Sequence, residues 1–267
     1  MNLKKQLLKK NNCYITADII VPKGVMWHST AANNPYLKRY VQPDDGLLGK
    51  NPNNNHWNTA LPDGVSKCVH AFIGRLNDGR IATYQTLPWM FRGWHCGGSG
   101  NGTHIGFEIC EDDLKSEEYF NKVYKEACEL TAYLCKMYNL DPLKDGVVIC
   151  HSEGYKRGIA SNHGDVMHWL PKYGKSMDTV RKDVAGILNK ANSVDTNDLY
   201  KVQCGAFTRK DNANELVAKL RKKGFTAIVT KVGNTYKVQC GAFKKRANAS
   251  ALLNKLKAKG FNGFTTK

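Results

Sequence analysis

Short apolar or alternating runs recur along the first 190 residues: Val25–His28, Cys68–Ile73, Arg80–Leu87, Ile105–Cys110 and Val147–Cys150. Each is four to eight residues long and flanked by turn formers, which predicts strands. From Glu117 to Tyr138 the period changes. Phe120, Val123, Ala127, Leu130 and Leu134 form a helical stripe, Ser116 can cap it, and Glu117 and Glu118 suit its first turn. A second helix is predicted from about Met177 to Ala191, with Val180, Val184, Ile187 and Leu188 inward. Between these elements lie long loops rich in Asn, Pro and Gly, such as Asn33–Val65, the kind of segment that carries function in a compact domain. Interleaved strands and helices predict α/β architecture, a mixed sheet flanked by helices.

Beyond residue 190 the pattern breaks. Residues 191–198 are small and polar without periodicity, which predicts a flexible linker. Then comes a repeat: Tyr200–Phe207, Tyr-Lys-Val-Gln-Cys-Gly-Ala-Phe, recurs unchanged at Tyr236–Phe243, and Gly224-Phe225 recurs as Gly260-Phe261. Each unit opens with strand-like alternation. A helical stripe follows, Ala213, Leu216, Val217 and Leu220 in the first and Ala249, Leu252, Leu253 and Leu256 in the second. The glycines stand where a helix C-cap belongs, with another strand after each. Two such units, 200–235 and 236–267, predict a small α+β domain of βαββαβ order. The chain thus reads as a domain over 1–190, a linker over 191–198 and a second domain over 199–267.

Charge sharpens this division. Residues 199–267 hold sixteen Lys or Arg against Asp211 and Glu215, and so carry +14 of the net +17. A module this cationic suits an anionic polymer or surface, although a solvated lysine-rich helix face has the same composition. No helix–turn–helix or zinc-finger pattern accompanies the charge, which argues against nucleic acid. The nine cysteines fall largely inside apolar patterns and include no C-x-x-C pair, so they read as buried thiols rather than a disulfide framework. No run is long and apolar enough to span a bilayer, and the basic segment 1–12 lacks the hydrophobic region of a secretory signal. Cytoplasmic synthesis without membrane insertion is the expectation.

Polar residues at the ends of the apolar runs carry the candidate chemistry. His28 and His151 end two predicted strands, Glu108 lies within a third, and His163 and Asp165 follow His151. Two imidazoles and a carboxylate can hold zinc with a fourth position open, the arrangement of catalytic rather than structural sites. Glu108 and His163 would add acid–base chemistry.

Five segments, taken in order, resemble the type-2 N-acetylmuramoyl-L-alanine amidases, whose fold is shared with peptidoglycan recognition proteins. They are His28-Ser-Thr-Ala31, His70-Ala-Phe-Ile-Gly74, His95-Cys-Gly-Gly98, Ile105-Gly-Phe-Glu108 and Cys150-His-Ser-Glu153, and the likeness spans roughly residues 20–190. The resemblance implies that His28 and His151 ligate zinc. It implies Asp165 as third ligand, fourteen residues after His151, although Val166 stands where the family usually has proline; His168 is the rival. It further implies Glu108 as catalytic acid, His163 as stabiliser of the developing oxyanion, and His95 and Asn101 as lining of the substrate groove, where Trp94 could lean on sugar or peptide. His70 is expected to pack within the sheet.

The duplicated segment resembles the sporulation-related (SPOR) repeat family, which binds peptidoglycan; Cys204 and Cys240 replace a larger hydrophobe there. Gln203 and Gln239 are then candidates for glycan contact on the exposed sheet face, while Phe207 and Phe243 fit either that face or the core. Together the resemblances imply a zinc-dependent peptidoglycan hydrolase that cleaves between N-acetylmuramic acid and L-alanine. Without a signal peptide, it would be a bacteriophage endolysin held in the infected cell's cytoplasm until it is released to the wall. A bacterial autolysin, or a recognition protein that binds without cutting, are the alternatives.

Overall fold

The computed structural model describes residues 1–192 and 199–266. The chain divides into two compact units, residues 1–190 and 191–267.

The first unit is built on six strands: β1 (Leu3–Lys5), β2 (Gly24–Asn33), β3 (Ala71–Arg75), β4 (Ile81–Gln85), β5 (His104–Glu111) and β6 (Val148–Cys150). Their order in the sheet is β1-β4-β3-β5-β2-β6, and every neighbouring pair is parallel except β3 with β4. All five predicted runs contribute a strand. β1 was not predicted: it is a three-residue edge strand, two of its residues lysine. Its helices are α1 (Asn12–Thr16), α2 (Glu117–Tyr138), α3 (His151–Lys156) and α4 (Met177–Asn192). α2 has the predicted bounds because its caps are encoded locally. The Ser116 hydroxyl accepts from Tyr119 N–H at 3.1 Å, and Asn139 closes the far end in a left-handed conformation.

Strand alternation sorts the side chains onto the two faces. Val25, Trp27, Ile105 and Phe107 point to the α2 and α4 side, in one core with Phe120, Leu130, Val180 and Val184. Trp27 donates from Nε1 to the Thr131 hydroxyl of α2 at 3.0 Å, which satisfies its polar atom inside that core. The opposite face holds Phe72, Tyr84 and Cys110 beneath Leu37, Tyr40 and Trp57 from the long loop that follows β2. Because Trp27 and Phe107 face the helices, His28 and Glu108 face the other way.

In the second unit the order is β7 (Tyr200–Phe207), α5 (Lys210–Lys222), β8 (Ile228–Val232), β9 (Thr235–Phe243), α6 (Arg246–Ala258) and β10 (Phe264–Thr266), the predicted βαββαβ. The sheet runs β10-β7-β9-β8, antiparallel throughout. Val202, Leu220, Val238 and Leu256 make its core. Phe207 and Phe243 are partly buried and pack against that core. α4 runs to Asn192; the rest of the expected linker lies outside the described residues.

Candidate active site

The register of the central strands sets the site. In the parallel pair β2–β5, His28 lies opposite Glu108, and β6 pairs with the other side of β2 up to Trp27↔Cys150. The residue after Cys150 is His151, the first of α3, so its imidazole emerges beside His28. A salt bridge holds α3 in place: Arg181 of α4 donates to both carboxylate oxygens of Glu153, at 3.0 and 3.1 Å. Asp165 arrives on the following loop, anchored by the buried side chains of Val166 and Trp169.

Three electron-pair donors converge there. His28 Nδ1 lies 3.0 Å from Asp165 Oδ2 and 3.1 Å from His151 Nδ1, and His151 Nδ1 lies 3.4 Å from Asp165 Oδ1. Ligand atoms about 2.0–2.1 Å from a tetrahedral zinc stand about 3.3 Å apart, so these spacings fit a zinc-sized ion without rearrangement. The outer ring nitrogens are engaged elsewhere. His28 Nε2 is 2.9 Å from His95 Nδ1. His151 Nε2 is 3.2 Å from the Ser161 hydroxyl, which donates to the Cys96 carbonyl. With Nε2 spoken for in each ring, Nδ1 is the nitrogen left to face Asp165, as in a set of metal ligands braced from behind. The structure brings Asp165, not His168, to the histidines: His168 Nε2 pairs with Glu111 Oε1 at 2.9 Å. Cys96 and Cys150 are buried thiols outside this group.

The donors line a groove of about 560 Å³ that also includes Glu108, His163, Trp94 and Lys67. Glu108 is half-buried, and its Oε2 is buried with no hydrogen-bond partner among the described residues. Burial pushes its carboxyl well above the usual carboxylate range, and the charges of Asp165 and Glu111 add to the shift. An unpaired carboxyl aimed into a groove, biased toward its acid form, is equipped to carry a proton. His163 is exposed and stacks on His151, ring centroids 4.8 Å apart. Trp94 is exposed at the groove wall with Arg92 against its ring.

His95 lines the groove as expected, but one expectation needs correction. Asn101 does not line the groove: it is buried, and its Oδ1 accepts from the backbone N–H of His95 at 2.9 Å and of Cys96 at 3.0 Å. His95 reaches the groove but turns its ring inward, Nε2 to the His104 carbonyl at 3.1 Å; burial, then the neighbouring His28 and His70, lower its pKa well below the ordinary value. Asn101 is drawn inward because its side chain satisfies two backbone amides of the loop before it. His70 packs in the sheet as expected, between the Phe91 carbonyl and Gly106 N–H. Ser161, Glu153 and Arg181 were not singled out from sequence, since each supports the site through a contact distant in the chain.

In the second unit, Gln203 and Gln239 lie opposite each other on β7 and β9. They line a shallow pocket of about 280 Å³ together with Lys201, Lys237, Thr230 and Thr266.

The first unit is a mixed α/β fold whose groove holds two histidines and an aspartate placed to share an ion. Residues 19–168 match the N-acetylmuramoyl-L-alanine amidase family model, and the chain belongs to that family. Residues 196–267 match the SPOR domain. Among solved structures, the chain is similar to the Staphylococcus aureus hydrolase AmiA in complex with its ligand, at 18% identity over 73% of this chain and 86% of that one, TM-score 0.49. It is similar to a mutant endolysin from Bacillus subtilis, at 22% identity over 69% and 99%, TM-score 0.45. It is also similar to the peptidoglycan binding domain of the B. subtilis cell wall lytic enzyme CwlC, at 44% identity over 26% and 86%, TM-score 0.25. No curated protein matches it significantly. Among the described residues, no helix is long and apolar enough to cross a membrane.

Proposed function

We propose that this chain is a zinc-dependent peptidoglycan amidase that cleaves the bond between N-acetylmuramic acid and the L-alanine of the stem peptide. The observation that carries the reading is the convergence of His28, His151 and Asp165 within 4.8 Å of one another, beside a groove that holds an unpaired glutamate. These three side chains would hold the ion, which when bound supplies Lewis acidity toward the scissile carbonyl. Glu108 accepts a proton from the attacking water and returns it to the leaving amine, a double use that suits a carboxyl with a raised pKa. His163, at the rim beside His151, donates a hydrogen bond to the developing oxyanion. The exposed face of Trp94 packs against the sugar or the peptide.

The SPOR domain would keep the enzyme on the wall, with Gln203 and Gln239 hydrogen-bonding the glycan and Lys201 and Lys237 adding cationic contact. Tethering raises the local concentration of substrate for the first unit. The division of labour assigned to residues 1–190 and 199–267, joined through 191–198, belongs to this proposal. Release from the cytoplasm at lysis, as an endolysin, is the matching biological setting. Purified full-length protein with zinc, incubated with peptidoglycan, should release new L-alanine amino termini and no new reducing sugar ends, and a chelator should stop the release. Reducing ends without amino termini, or unchanged release in chelator, would overturn the reading. Binding to walls with no release in either condition would favour a recognition protein.

A further inference from the structure

We infer that His95 is a positioning residue that fixes which ring nitrogen of His28 faces the ligand cluster, with Gly106 supplying the space its ring needs. The inference rests on the metal-site reading above. The His104 carbonyl can only accept, so the contact at 3.1 Å places the single proton of a neutral His95 ring on Nε2. His95 Nδ1 then presents a lone pair to His28 Nε2 at 2.9 Å, and His28 must be the donor. His28 Nδ1 is left unprotonated toward Asp165 and His151. A chain of two hydrogen bonds thus runs from a strand carbonyl to the ligand nitrogen.

The surroundings are shaped for that ring. A Cβ on Gly106 would lie 2.4 Å from His95 Cγ and Nδ1, and one on Gly93 would lie 3.2 Å from Cδ2. Asn101 pins the His95 backbone from the other side. A ring whose two nitrogens are both engaged inside the protein has no polar atom left for substrate and is well placed to orient a ligand.

The test compares wild type, His28→Ala, His95→Ala, His95→Asn and Gly106→Ala as full-length protein. Zinc affinity is read by competition with a chromophoric chelator, and the His28 tautomer by 15N NMR of the zinc-loaded wild type. Asparagine places Oδ1 about where Nδ1 of His95 stands, so it can still accept from His28. His95→Ala should weaken zinc binding about 10- to 100-fold. His95→Asn should recover most of the loss, and Gly106→Ala should behave like His95→Ala. The spectrum should show His28 protonated at Nε2. Unchanged affinity in His95→Ala, no recovery in His95→Asn, or His28 bound through Nε2 overturns the inference and leaves the metal site standing. Failure of wild type to bind zinc any better than His28→Ala overturns both. The spectrum needs no variant, so it decides the matter even if the substituted chains misfold.

A separate observation in the second unit carries a second proposal: the geometry assigns Cys204 and Cys240, one from each repeat, as a pair that closes a disulfide. Their sulfurs are 3.0 Å apart across the β7–β9 pair, where the strand register shifts. Cys204 is the more exposed of the two. Its thiolate attacks a low-molecular-weight disulfide and expels one thiolate. Cys240 then attacks the mixed disulfide at Cys204 Sγ and expels the second, so two protein thiols are oxidised and one small disulfide is reduced. Full-length protein treated with glutathione disulfide should lose two hydrogens in intact mass, with a single cross-linked peptide joining Cys204 and Cys240. Cys204→Ser and Cys240→Ser should each abolish the link. A stable glutathione adduct on Cys204, or oxidation confined to other cysteines, would refute the pairing.

Discussion

Replacing Glu108 with glutamine should lower turnover and raise stability together. The side chain keeps its shape but can no longer accept or return a proton, so kcat should fall about 10²- to 10⁴-fold, the usual contribution of one positioned acid–base group. The stability effect comes from the environment of Oε2, which is buried and has no hydrogen-bond partner among the described residues. Glutamine replaces a group that is ionisable there with one that is always neutral. The difference is about 1–3 kcal/mol where the carboxylate would be charged, or about 2–12 °C in melting temperature for a unit of this size. The sign depends on pH. Because burial raises the folded-state pKa of Glu108, the unfolded chain releases this proton first as pH rises. Metal-free wild type therefore loses stability from the ordinary glutamate range up to the raised folded-state value, and the variant does not. The melting-temperature advantage of Glu108→Gln should grow with pH across that window. Calorimetry of both metal-free proteins over a pH series, with amine release measured in zinc, tests both parts. Activity within tenfold of wild type, or a melting difference that does not change with pH, would refute the reasoning.

Other outcomes follow from the same geometry. Asp165→Asn removes the only anionic ligand and should weaken zinc binding at least 100-fold by chelator competition, whereas His168→Ala should leave affinity unchanged and cost about 1 kcal/mol through loss of its Glu111 contact. The double variant Gln203→Ala, Gln239→Ala removes two side-chain hydrogen-bonding groups worth about 0.5–1.5 kcal/mol each, so wall affinity in a pull-down titration should fall about 5- to 150-fold. Protease cleavage within 191–198 should leave release from small soluble muropeptides unchanged while activity on intact walls drops, as expected if tethering is the second unit's contribution.

Much of this site is legible in strand alternation alone. In Trp27-His28 and in Phe107-Glu108 an aromatic bound for the helix side is followed by a polar residue, so both polar side chains must share the opposite face. Ser116 and Asn139 encode the ends of α2 locally, and the repeat encodes the βαββαβ order of the second unit by duplication. What was not legible lies where no period operates. His-Ser-Glu-Gly-Tyr-Lys has no apolar stripe; Glu153 accepts from the Cys150 N–H in a capping box and also meets Arg181, from 28 positions away. The inward turn of the His95 ring depends on Gly93, Gly106 and a strand carbonyl, none adjacent to it in sequence. Phe207 and Phe243 close their strands, where alternation alone could send the ring to either face.

The first and last members of the donor set are separated by 137 positions in the chain. A ribosome that has released only the segment through β5 has made one of the three, and one that has reached β6 has made no more. The donor set is therefore complete only once the chain has been made past Asp165. It should come apart whenever the sheet opens, so an incomplete or unfolded copy would present no assembled site.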